Sequence, residues 1–161
     1  MAARNPAKTT RAKKKSPAPS RTTAARRKSG TASRSLVLSD ASPSLTVNDL
    51  ERSLGWYRDV LGFAVEETWK DDGKVVGVSL RAGDVSLMIG QDDWKKGRDR
   101  KKGEGFRIFC KTKGNVDALA ERIEKKGGRL DQGPTDEPWG VRDISLTDPD
   151  GFKITIAAEK R

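Results

Sequence analysis

The chain has 161 residues, room for one folded domain, and its 33 Lys and Arg against 23 Asp and Glu give a net charge of +10. No apolar run approaches the roughly 20 residues that span a bilayer as a helix, and the first residues lack the apolar core of a secretory signal. The one cysteine, Cys110, cannot form a disulfide within the chain, so the expectation is a soluble, intracellular protein of a reducing compartment, the cytoplasm.

The charge is uneven. Residues 1–34 hold eleven basic side chains and no acid, whereas the remainder carries 22 basic and 23 acidic ones. The high pI therefore belongs to a tail, and nothing in it makes the folded part a nucleic-acid surface. Residues 1–35 are built from Ala, Lys, Arg, Ser, Thr and Pro, have almost nothing to bury and are expected to be disordered. Three readings stay open for this segment: a salt-sensitive tether to nucleic acid similar to the tails of linker histones, a solubilising extension with no partner, and an organelle transit peptide.

After a short connector the pattern becomes periodic. Leu45 and Val47 alternate with Ser44 and Thr46 as in a half-buried strand, and Asn48 or Asp49 can cap a helix whose apolar positions are Leu50, Leu54, Tyr57 and Leu61, with Gly62 as its stop. Strands are predicted over 64–70, 75–81 and 85–89, with Asp71, Asp72 and Gly73 as a hairpin turn. Residues 91–105 are a charged, glycine-punctuated loop with Trp94 stranded in it, and such a Trp usually packs down onto something.

The second half repeats the order. A strand over 106–112 leads to a helix over 115–126 with Val116, Leu119, Ala120 and Ile123 on one stripe and Gly127 and Gly128 as its stop. Strands follow from 129, over 141–146 and over 152–156, the last two joined by the turn Asp148, Pro149, Asp150, Gly151. Residues 79–89 align with 145–156, a repeat of roughly 67 residues, so two copies of one supersecondary unit are expected to pack together.

The stretches LTVNDLERSLGWYRDVLGF and PWGVRDISLTDPDGFKITI resemble the two signatures of the vicinal oxygen chelate superfamily, which groups glyoxalase I, bleomycin-resistance proteins and extradiol dioxygenases. The resemblance covers about residues 42–158. It implies an α+β fold, two βαβββ modules at about 42–91 and 105–158 forming one curled mixed sheet around a cleft, with the helices outside, in a single domain over 36–161. Such a fold hosts several chemistries and some pure binders, so it does not fix function.

Strand parity then divides the side chains. Leu45, Val47, Val78, Leu80, Val85, Leu87, Ile89, Ile108, Ile144, Leu146, Ile154 and Ile156 are expected to face the helices. Ser42, Ser44, Thr46, Ser79, Ser86, Met88, Arg107, Phe109, Lys111, Ser145, Lys153 and Thr155 are expected on the other face.

Metal-dependent relatives use His, Gln or Glu from four strands, and the positions implied by the resemblance here are Ser42, Met88, Arg107 and Thr155. None of these is a usable ligand type, and the chain has no His at all. Absence of His also rules out Ser-His and Cys-His nucleophile pairs, and Cys110 lies on the helix-facing parity. No catalytic residue, metal or cofactor is therefore expected, and the leaning is away from an enzyme.

What remains is a ligand site made of Ser42, Met88, Arg107, Phe109, Trp139, Thr155, Trp69 and Trp94, with Arg107 and Lys111 favouring a ligand that carries an anionic group. The expected function is metal-independent binding of a small organic molecule by a homodimer. Two alternatives stay open: a metal-dependent lyase, isomerase or dioxygenase of the same superfamily, and a DNA-associated protein acting through residues 1–35.

Overall fold

The structure, a computed structural model, describes residues 36 and 38–160, and all of its elements lie in one compact unit, Leu38–Arg161. The readings of the basic tail fall outside the described residues. In chain order the elements are β1 (Ser44–Val47), α1 (Leu50–Gly55) with a π-helical continuation (Trp56–Leu61), β2 (Ala64–Asp71), β3 (Lys74–Ala82) and β4 (Val85–Gln91). After a loop come β5 (Arg107–Lys111), α2 (Val116–Lys125), β6 (Leu130–Asp136), β7 (Val141–Thr147) and β8 (Lys153–Glu159).

Local chemistry explains the boundaries. Of the two candidate caps Asp49 is the one used, its carboxylate accepting from the Arg52 amide at 3.0 Å, and Asn115 does the same for α2 through the Ala118 amide at 3.0 Å. The first helix differs from a plain α-helix in its second half. There the turns widen, the Gly62 and Phe63 amides both donate to the Tyr57 carbonyl, and Gly62 closes the segment with φ of 87°. Asp72 and Gly73 both have positive φ, 45° and 77°, the two-residue hairpin that twists with its strands.

Each half forms a mixed four-stranded sheet, in the order β1-β4-β3-β2 and β5-β8-β7-β6. The first strand of each half runs parallel to the last, and the other pairs are antiparallel. The internal repeat is thus a repeat of topology. Each outer strand, β2 and β6, carries breaks in register, between Val65 and Glu67 in β2 and across Gln132 to Thr135 in β6.

One curled sheet around a cleft, with the helices outside, is not what forms. The two sheets are separate, and no hydrogen-bonded ladder joins them among the described residues. One edge of each sheet is a short strand, β1 of four residues and β5 of five. The halves are held by side chains instead. Helices are interspersed between the sheets: Val60 of the π segment and Ile123 of α2 both close on Gly128.

The β7–β8 turn is the principal clasp. Asp148 accepts the buried Tyr57 hydroxyl at 2.8 Å and the amides of Asp150 and Phe152 at 2.9 and 2.8 Å. Asp150 reaches the start of α1, accepting from the Asn48 amide at 2.6 Å and the Ser53 hydroxyl at 2.7 Å. Arg122 of α2 donates to the Leu61 carbonyl at 2.8 Å, satisfying the C-terminal end of the π segment. Burial pushes the Tyr57 phenol far above its ordinary value, helped by the Asp148 charge, and burial also raises the Asp148 carboxyl.

One apolar core runs through both halves, from Leu45, Val47, Val78, Leu80, Leu87 and Ile89 to Ile144, Leu146 and Ile154, with Tyr57 and Ile123 fully enclosed. Strand parity assigned these faces correctly. Val85, Ile108 and Ile156 have the same parity but are only half-buried.

Candidate functional site

The exposed face of the second sheet gathers the polar candidates. Arg107 opens β5 and lies opposite Lys153 on β8, while Phe109 lies opposite Thr155 and Thr155 opposite Ser145. Paired residues point to one side of a sheet, so Arg107, Phe109, Lys153, Thr155 and Ser145 share that face. The Arg107 guanidinium donates to the Thr155 hydroxyl at 2.7 Å and to the Ser145 hydroxyl at 3.3 Å, and the two hydroxyls are 3.1 Å apart. Thr155, 5% exposed, is thus a floor that fixes the guanidinium.

Two concavities flank β5. At its start a hollow of about 480 Å³ is lined by Phe106, Arg107, Lys153, Glu104 and the backbones of Gly103, Gly105 and Gly151. At its end a wider basin of about 1290 Å³ holds Phe109 and Lys111 beside the β3–β4 turn and the start of α2. The smaller hollow combines three cationic side chains, Arg107, Lys153 and Lys102, the last already paired with Asp92, with the Glu104 carboxylate and an aromatic ring, since Phe106 is exposed and meets Phe152 edge to face. Its volume lies within the few hundred Å³ typical of small-molecule sites. Lys153 and Phe106 were absent from the sequence-derived site. The signal for Lys153 was its parity, which became decisive only with the β5–β8 register.

The other candidates lie elsewhere. On the first sheet the Ser42 and Ser86 hydroxyls bond at 2.5 Å, and Met88 pairs with Ser44. Trp69 lies on the same sheet over Gly77, where a built Cβ would stand 2.9 Å from the indole. Trp139 is 67% exposed in the β6–β7 turn. Arg107 and Thr155 are in contact, and Phe109 shares their face but lines the basin at the other end of β5; Ser42, Met88 and Trp69 belong to the other half, and Trp94 and Trp139 stand in turns and loops.

Trp94 packs within its own loop. It holds a left-handed backbone with φ of 59°, unusual for a bulky residue, and its amide is fixed by Asp92 at 2.8 Å. Arg98 and Lys102 lie over the indole at 4.7 and 5.4 Å from the ring centre. Asp92 is buried and also accepts from Lys102 at 2.5 Å and Arg100 at 2.6 Å. These donors, Lys102 first, hold its carboxyl far below the usual range. A depressed carboxyl contributes stability that is fully present above its unfolded value and lost as pH falls through the folded one. Unfolding free energy should therefore fall on acidification below about pH 4, and Asp92→Asn should flatten that fall. Urea denaturation across pH 2 to 7 measures both, and an unchanged slope in the variant would remove Asp92 from the account.

Several other carboxylates are held in ion pairs. Glu66 is paired with Arg81 at 2.7 Å, and Arg142 holds Asp117 and Asp136 at 2.7 and 2.9 Å. Asp143 is buried beside Ser145 and its Oδ1 has no hydrogen-bond partner; burial raises its carboxyl, Glu137 raises it further and Arg107 lowers it.

The family's metal does not fit these residues. The four positions are two hydroxyls, a thioether and a guanidinium; Ser42 is bonded to Ser86, and Arg107 to Thr155. A fixed cation beside a hydroxyl repels a divalent ion. Among the described residues no group of three His, Cys, Asp or Glu side chains is placed to hold one.

A sequence model of the Glyoxalase/Bleomycin resistance protein/Dioxygenase superfamily matches residues 40–156, and the chain belongs to that superfamily. No curated protein is a significant match. Similar solved structures include TioX from Micromonospora sp. ML1, 19% identical with a TM-score of 0.62 over 76% of this chain and 100% of that one. Another is TnmS3, an antibiotic binding protein from Streptomyces sp. CB03234, 23% identical with a TM-score of 0.60 over 78% of this chain and 99% of that one. A third is a glyoxalase/bleomycin resistance protein/dioxygenase from Nocardioides, 18% identical, TM-score 0.61, over 78% of this chain and 87% of that one. At such identities the likeness is one of fold. No helix among the described residues is long and apolar enough to cross a membrane.

Proposed function

We propose that this chain binds a small organic molecule carrying an anionic group, without a metal, in the hollow at the start of β5. The observation that carries the reading is Arg107, held by Thr155 and Ser145 beside Lys153, with Phe106 on the same wall. A guanidinium fixed in place loses little freedom on pairing with a carboxylate or phosphate, and the phenyl ring gives the organic part an apolar contact. The resemblance in fold to an antibiotic binding protein supports sequestration or carriage as the role. A cytoplasmic location is a separate proposal, supported by the single Cys110, which can form no disulfide within the chain.

A thermal-shift screen of anionic aromatic compounds and divalent metals identifies the ligand, and calorimetry then measures it. Arg107→Ala should weaken binding about 10- to 100-fold, the worth of a charge-assisted hydrogen bond, and Arg107→Lys should recover only part of it. Binding unaffected by Arg107→Ala, or one divalent ion per chain in the purified protein, would overturn the proposal. A homodimer is part of the same proposal, supported by the exposed Phe106, Phe109 and Trp139, and light scattering tests it. Nucleic-acid binding through residues 1–34 is a separate proposal supported by their eleven basic residues, tested by whether salt-sensitive DNA binding disappears when they are deleted.

A further inference from the structure

Phe63, Ile108, Leu119 and Ile156 are packed against the core yet only half-buried. The cause is a cavity of about 180 Å³ where the core faces of both sheets meet the end of the π segment and α2. Its walls are mainly aliphatic and aromatic, and the Cys110 thiol completes them. Burial raises that thiol, so it stays protonated and acts as a small apolar group. The cavity shares no lining residue with the hollow at Arg107, and it borders the wide basin at Lys111 and Thr112, which gives it a mouth.

We propose that this cavity is a second binding site, for an uncharged apolar molecule the size of one ring or two fused rings. Size and chemistry set the class. A dry cavity of about 150 Å³ lined by Leu, Ile and Phe is enough for benzene, whereas sites for drug-sized ligands start near 300 Å³. The ligand proposed for the Arg107 hollow is therefore excluded. A charged group inside the cavity is disfavoured as well, because the Arg122 guanidinium on the lining is already engaged by the Leu61 carbonyl, the exposed Lys111 stands only at the mouth, and a buried charge without a partner is costly. Filling the space restores contacts that the four half-buried side chains lack.

The test is methyl-resolved NMR of the full chain titrated with indole and, in parallel, with tryptophan, which adds a zwitterion to the same ring. Indole should give saturable shifts confined to the methyl groups of Ile108, Leu119, Ile154 and Ile156, and tryptophan none. Ile108→Phe should fill the space, weaken indole binding at least about tenfold and keep or raise the melting temperature; Cys110→Leu is the second filler should the first fail to fold. Arg107→Ala should leave the indole shifts unchanged, which separates this site from the proposed anion site. No shifts up to the solubility of indole, shifts scattered over the surface, or indole binding that survives both fillers would overturn the proposal.

Discussion

Replacing Asp148 with alanine should lower the unfolding free energy by about 3 kcal/mol, because one buried carboxylate satisfies three donors and their desolvation costs add. The Tyr57 hydroxyl, enclosed in the core, is left without an acceptor, and the Asp150 and Phe152 amides lose theirs. Tyr57→Phe removes a single hydrogen bond and should cost about 1 kcal/mol. Combining the two changes should cost less than their sum, since each deletes the same interaction. Urea unfolding of the four proteins gives all three quantities. A loss under about 0.5 kcal/mol for Asp148→Ala, the level of an ordinary surface change, would mean that the turn does not clasp the halves.

Gly103→Ala should be comparably damaging, for a different reason. A Cβ there would stand 2.1 Å from the Gly151 carbonyl oxygen and 2.8 Å from the Phe152 Cα, with φ at +74°. Both obstacles are backbone, so no rotamer relieves them. We expect a loss of at least about 2 kcal/mol and weaker ligand binding, because Gly103 and Gly151 also line the hollow at Arg107. Gly105→Ala is the control. Its φ is +70° but nothing lies within 4 Å of the added carbon, leaving conformational strain of about 1 kcal/mol. Equal losses in the two variants would show that the approach of the two backbones is not what matters.

What the sequence made legible follows from the range of each interaction. Alternation in β1, β4, β7 and β8 separated the inward-facing side chains from the rest, because parity is local. The same alternation says nothing about which edges pair, and the expectation of one curled sheet failed there. Asp148 and Asp150 read as turn residues, which they are, but their acceptance of Tyr57 and Ser53 spans 91 and 97 positions and leaves no periodic trace. Trp94, stranded in a charged loop, is expected to pack down onto something. It does, on the cations of its own loop. Ile108 and Ile156 have flawless core parity, and pattern alone cannot reveal that the space before them is unfilled.

The outer edges of the two sheets differ in how they resist growth. On β6, Pro134 and the broken register remove the regular row of amides that another strand would need. On β2 the run is longer, eight residues, and its guards are Glu66, Glu67, Lys70 and Asp71, with Val65 and the neighbouring Val75 and Val76 exposed. Charge is screened by salt and proline is not. The β2 edge is thus the one whose protection weakens as ionic strength rises.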